Sequence, residues 1–142
     1  MEQRKSRWFA EAEVTVQFCD LDPMNVVWHG NYANYLEYAR NALLSSIDYS
    51  YEQMKESGYT WPIIDLHFRY ARPAVFRQRL KILAEIVEWE YKLKIAYLIT
   101  DAKTGIRLTR ATTEQVAVDM QTKEMCFVSP PILFKKLGLP PL

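Results

Sequence analysis

The sequence predicts an α+β fold in which one long central helix is wrapped by a single antiparallel sheet. Three observations carry this expectation: a period-two strand near the start, a helix with apolar residues three and four apart straight after it, and β-branched segments over most of the remainder. With 142 residues, 49% hydrophobic and 25% charged, the chain has the make-up of one globular domain, expected to span 1–142.

From Glu11 to Asp20, Ala12, Val14, Val16 and Phe18 alternate with Glu11, Glu13, Thr15 and Gln17, the pattern of a half-buried strand. Asp20-Leu21-Asp22-Pro23-Met24-Asn25 ends it, because Pro23 has no amide to donate and Asp and Asn suit tight turns. Between Asn31 and Ile47 the apolar positions Tyr32, Tyr35, Leu36, Ala39, Leu43 and Ile47 fall on one helical face. Tyr51 to Ser57 reads as a short helix closed by Gly58. Strands are expected over Thr60 to Tyr70, Val75 to Tyr91, Lys92 to Thr100 and Ile106 to Met120, as a long antiparallel meander with a hairpin loop at Asp101-Ala102-Lys103-Thr104-Gly105. A reversal at Gln121 to Glu124 leads into a short strand from Met125 to Val128, and Pro130-Pro131 opens a last helical turn through Leu137.

Composition narrows the function. Eighteen basic against seventeen acidic residues give a net charge of +1, so no general affinity for nucleic acid or an anionic membrane is expected. Arg4, Lys5 and Arg7 precede Trp8-Phe9-Ala10, but Glu11 and Glu13 leave no apolar core for a secretory leader, and no apolar run reaches 18 residues. Cys19 and Cys126 are too few for a disulfide framework or a cysteine zinc site, which points to a reducing, cytoplasmic setting. No metal is expected in the chemistry.

The densest polar cluster runs from Asp20 to Tyr32, where a strand ends and the central helix opens. A helix start offers unpaired amides and the positive end of a dipole, suited to an oxyanion. Asp22, His29 and those amides supply what acyl transfer from a thioester to water needs: a base or nucleophile, and donors for the developing oxyanion. The plainer alternative is that Asp22 caps a turn or the helix, with His29 a satisfied polar neighbour.

Asp20-Leu21-Asp22-Pro23, Val26-Val27-Trp28-His29-Gly30-Asn31-Tyr32 and Tyr35-Leu36-Glu37-Tyr38-Ala39-Arg40 together resemble the signature of the hotdog-fold acyl-CoA thioesterases of the 4-hydroxybenzoyl-CoA thioesterase type. The order of elements extends the resemblance over most of the chain. It implies a hotdog fold and a nucleophilic or general-base Asp22 assisted by His29. It also implies a thioester carbonyl held by the backbone amides of His29 and Gly30, and substrate contacts from Asn25, Val27, Tyr70, Arg72 and Pro73. Asn31, Tyr35, Glu37 and Arg40 become supports of the site, although Glu37 and Arg40 also read as a plain exposed pair. The substrate would be an acyl group on coenzyme A or on the phosphopantetheine arm of an acyl carrier protein, with no further cofactor. Two positions depart from the pattern: Asn25, where the family usually has glycine, and Gln78, where an acidic residue is expected. Asn tolerates the left-handed backbone such a turn needs.

Arg69, Arg72, Arg77, Arg79 and Lys81 form a stretch without an acid, with Arg77, Arg79 and Lys81 expected on one strand face. It reads either as a greeting for the phosphates of the thiol carrier or as a solvated outer face. His67 has no metal-ligand spacing and reads as structural. The open edges of a single sheet favour a homodimer at least, or a homotetramer. A hotdog hydratase or dehydratase and a non-catalytic acyl-thioester binding protein are the alternative functions, though the histidine turn of the dehydratases is missing.

Overall fold

Alternation along the first strand sets the architecture. The computed structural model describes residues 7–142, so Arg4 and Lys5 lie outside the described residues. Strand β1, Phe9–Thr15, turns Ala10, Ala12 and Val14 inward, while Phe9, Glu11 and Glu13 face out. Helix α1, Tyr32–Ser46, follows, then α2, Tyr51–Glu56, β2, Tyr59–Thr60, and β3, Ile63–Tyr70. Strands β4, Arg79–Glu88, β5, Leu93–Asp101, and β6, Arg107–Gln115, form a meander, and β7, Val118–Asp119, and α3, Pro131–Leu137, complete the chain.

Five strands make one antiparallel sheet in the order β1-β4-β5-β6-β3, curled about α1. The helix packs on β1 and β4, burying Leu36, Ala39, Leu43 and Leu44 against Leu80, Ile82, Ile86, Ile95 and Ile99. Each such side chain contributes about 1.5–3 kcal/mol on leaving water. Leu133 and Leu137 of α3 join the same core, and Gly138 ends α3 with φ 72°, a left-handed position glycine adopts without strain. Among the described residues no helix is long and apolar enough to cross a membrane.

Several expected boundaries shift. The first strand stops at Thr15 and not at Asp20, because Phe18–Asp20 forms a 3-10 turn in which the Gln17 amide donates to Asp20 Oδ2 at 2.9 Å. The strand expected over Thr60 to Tyr70 breaks at Trp61-Pro62. Pro62 lacks an amide, and Trp61 turns into the core, where its Nε1 donates to Tyr49 Oη at 3.2 Å. Its first piece, β2, pairs with β7 in a separate two-stranded ribbon, so the sheet is not the only one. Nor do the four strands form a simple meander, since β3 crosses to the far edge beside β6.

The strand expected from Val75 begins only at Arg79. Arg77 adopts φ 66° and Gln78 pins the turn, its Oε1 accepting from the Val75 amide at 3.0 Å and its Nε2 donating to Asp101 Oδ2 at 2.7 Å. Gln78 thus ties two chain segments without a charge. At the other end of the chain, Met125 makes one bridge to Val118 where a short strand was expected.

Candidate active site

The acidic turn after β1 is built by its own backbone. The Asp22 amide donates to Val26 O at 2.9 Å and the Asn25 amide to Asp22 O at 3.0 Å, while Asn25 takes φ 63°. Asn25 therefore supplies the left-handed residue the turn requires. Asp22 Oδ1 accepts from the Met24 amide at 2.8 Å, so its carboxylate caps this turn and not the helix. One carboxylate oxygen is held, leaving Oδ2 for other work.

Backbone bonds then dock the turn on the segment before β4. The Val27 amide donates to Ala74 O at 2.9 Å, the Trp28 amide to Asp20 O at 2.9 Å, and Val26 bridges Val75. His29–Asn31 forms a 3-10 turn that runs into α1, and its opening amides, those of His29 and Gly30, precede every acceptor the helical run provides. Gly30 is needed for space: a Cβ there would lie 2.3 Å from Trp28 Cζ3.

These segments enclose a cleft of about 290 Å³. Of the residues singled out in the sequence, Asp22, Val27, His29, Tyr70, Arg72 and Pro73 line it. Val26, Tyr32 and Ala71 line it as well and were not singled out as site residues. Tyr32 was legible only as a core position of α1; its place two residues after Gly30 was the available signal. Its hydroxyl accepts from the Ala74 amide at 3.1 Å, and its ring meets that of Tyr70 edge-on at 5.0 Å. The Tyr70 hydroxyl donates to His29 O at 3.1 Å. Burial raises the pKa of both phenols, so at neutral pH they serve as hydrogen-bonding groups and not as bases.

The remaining candidates stand behind or apart from the cleft. Asn31 Nδ2 donates to Asp20 O at 2.8 Å and Tyr35 Oη to Asp20 Oδ2 at 2.9 Å, so both brace the base of the acidic turn. Burial, then the bond to Asp20, pushes the Tyr35 hydroxyl well above its ordinary range. Glu37 instead lines a separate groove with Glu13, Tyr35 and Tyr38. Its partner Arg40 is only 4% exposed, with Nε donating to Tyr51 Oη at 2.7 Å, so the pair is not a plain surface one.

The basic stretch divides. Arg77 sits in the turn with its guanidinium over the Phe76 ring, not on a strand face. Arg79 meets Glu13 at 2.6 Å and Lys81 meets Glu11 at 3.3 Å, because β1 lays its outer acids alongside β4. Only Arg72 of the stretch reaches the cleft. His67 lies exposed on β3 opposite Thr112, and no group of three or more potential metal ligands gathers among the described residues.

A sheet curled about one helix, with an acidic turn and a cleft where that helix opens, defines a hotdog-fold domain of the thioesterase class. Solved structures share this architecture. The 1,4-dihydroxy-2-naphthoyl-CoA thioesterase Slr0204 from Synechocystis is 21% identical with a TM-score of 0.79, covering 92% of this chain and 97% of that one. The DHNA-CoA thioesterase from Staphylococcus aureus is 25% identical with a TM-score of 0.76, covering 84% and 80%. Over 128 residues the chain is 24% identical to the protein named "Putative acyl-CoA thioesterase YneP" of Bacillus subtilis, covering 89% of this chain and 88% of the relative. A sequence profile of the thioesterase-like superfamily matches residues 16–140, and the chain belongs to that superfamily. By class it is a thioester hydrolase.

Proposed function

We propose that the protein hydrolyses acyl-CoA thioesters to a carboxylic acid and coenzyme A, with Asp22 acting at the thioester carbonyl and the amides of His29 and Gly30 receiving the oxyanion. The observation that carries this reading is that Asp22 and His29 line one cleft at the opening of α1. The helix start supplies unpaired donors and a positive dipole end where negative charge develops.

As general base, Asp22 takes a proton from water while the water oxygen adds to the carbonyl carbon. As nucleophile, its carboxylate oxygen adds to that carbon and forms a mixed anhydride, which water then opens. On either route the C–S bond breaks, and the thiolate leaves with the electron pair and is protonated. His29 assists the carboxylate, Tyr70 fixes the His29 peptide, and Val27, Arg72 and Pro73 border the substrate. Asn25 serves through the turn backbone, and Asn31 and Tyr35 through Asp20.

Coenzyme A is the favoured thiol carrier, since the relatives above are named for CoA thioesters; a carrier protein is the second one to assay. The reaction needs no cofactor beyond the carrier itself. The reading includes a cytoplasmic setting, a single domain over 1–142, and a homodimer formed along β3, which could pair further into a tetramer. Supporting the dimer, β3 is an edge strand that leaves Ile63, Ile64, Leu66 and Tyr70 exposed.

Thiol release from short, long and aromatic acyl-CoAs tests the reading, with wild type and Asp22→Asn side by side. Asparagine still accepts from the Met24 amide, so the turn is kept while the base or nucleophile is lost. A fall of about 10²–10⁴-fold or more in kcat is expected. Full activity in Asp22→Asn would remove Asp22 from the chemistry.

A further inference from the structure

Arg69 of β3 stands directly opposite Arg110 of β6, and both are exposed on the outer face of the sheet. Residues so paired have Cβ atoms about 4.5–5.5 Å apart, and like charges at that range destabilise the sheet. The neighbours give no relief. The partner of Arg110 on β5 is Leu98, and among the described residues no carboxylate reaches ion-pairing distance of either guanidinium. Elsewhere the same face answers its charges. Asp65 opposes Glu114 four residues along, but Lys92 meets Glu114 at 2.5 Å, and Arg79 and Lys81 take the outer acids of β1.

We propose that Arg69 and Arg110 form a phosphate-binding pair. Two planar guanidinium groups side by side present forked N–H donors that match phosphate oxygens, and a bound dianion turns their repulsion into shared attraction. His67 and Thr112, opposite one another one step along the same face, extend the block with further donors. Tyr70, next after Arg69, lines the cleft from the other side of the edge strand. The phosphates therefore come either from the nucleotide end of acyl-CoA, in which case the assignment rests on the thioesterase reading, or from a free phosphate compound.

Titration calorimetry with inorganic pyrophosphate and with coenzyme A, on wild type and on the double variant Arg69→Gln with Arg110→Gln, tests the pair directly. Binding at least ten-fold weaker in the double variant is expected, with Arg79→Gln, which loses a cation already paired to Glu13, unchanged. Because repulsion is relieved, the double variant should melt no lower than wild type. Kinetics with one acyl group on coenzyme A and on pantetheine then separate the sources. A KM raised five-fold or more for acyl-CoA alone identifies the nucleotide phosphates, and lost pyrophosphate binding with unchanged acyl-CoA kinetics identifies a free phosphate. Equal binding by wild type and double variant, or no binding of either probe by wild type, overturns the pair. A wild type that cleaves no thioester overturns the hydrolase reading and leaves the calorimetry intact.

Discussion

The Tyr70 hydroxyl donates to the carbonyl oxygen of His29 at 3.1 Å, fastening the end of β3 to the first turn of the helical run. The bond orients a peptide and not a substrate. A neutral hydrogen bond of this kind is worth about 1 kcal/mol net. Tyr70→Phe keeps the ring against Tyr32 and loses only the tie, so kcat should fall roughly five-fold with little change in melting temperature. Wild-type turnover in this variant would show that the His29 peptide holds its place unaided.

Gly30→Ala probes the same turn from below. The added methyl meets the far edge of a Trp28 ring that is 49% exposed and free to swing outward. The clash is relieved by moving Trp28 and the adjoining peptides, so kcat should drop by ten-fold or more while stability falls by less than about 1 kcal/mol. Tryptophan fluorescence should report the ring's displacement. An unaltered kcat would detach the geometry of this turn from catalysis.

Arg40 and Glu37 should answer unequally to truncation. Arg40 is buried and bonded to Tyr51, so Arg40→Ala leaves a cavity and an unpaired phenol and should cost about 2–4 kcal/mol in urea unfolding. Glu37 is 43% exposed, and Glu37→Gln should cost under about 1 kcal/mol. Equal costs would contradict this division.

Asp101 carries an acid-sensitive contribution. The Gln78 amide, then the Thr104 backbone amide, hold its carboxyl down at about 2, below the usual 3.8. A lowered folded-state pKa stabilises at pH above the unfolded value, and the gain is lost as pH falls from near 4 through 2. Asp101→Asn removes the titration, so its deficit in melting temperature should be full at pH 5 and vanish near pH 2. A deficit that stays constant across that range would place the effect in uncharged hydrogen bonding.

What the sequence could reveal depended on how local the cause was. The period of α1 and the alternation of β1 follow from neighbours a few residues apart, and the turn from Asp20 to Asn25 is closed by its own backbone. Asp22, His29, Tyr70, Arg72 and Pro73 meet because two local motifs are brought together by the pairing of Val26 with Val75. The fate of the basic stretch was not local. Whether Arg79 is neutralised depends on Glu13, far back in the chain, and whether Arg69 faces an acid depends on the register with Arg110. The crossing of β3 to the far edge hides for the same reason, since strand order leaves no mark in the composition of one strand.

The pairing of β1 with β4 also sets a timetable. Phe9 to Thr15 meet partners between Glu85 and Arg79, about seventy residues later, with α1, α2 and β3 between them. During synthesis at 5–20 residues per second, the first strand waits roughly 4–14 s for its partner to be made. Closing so long a loop adds an entropic penalty and slows refolding relative to a sheet built from hairpins alone. In that interval the apolar face of α1, made first, is the surface on which the nascent β1 can shelter.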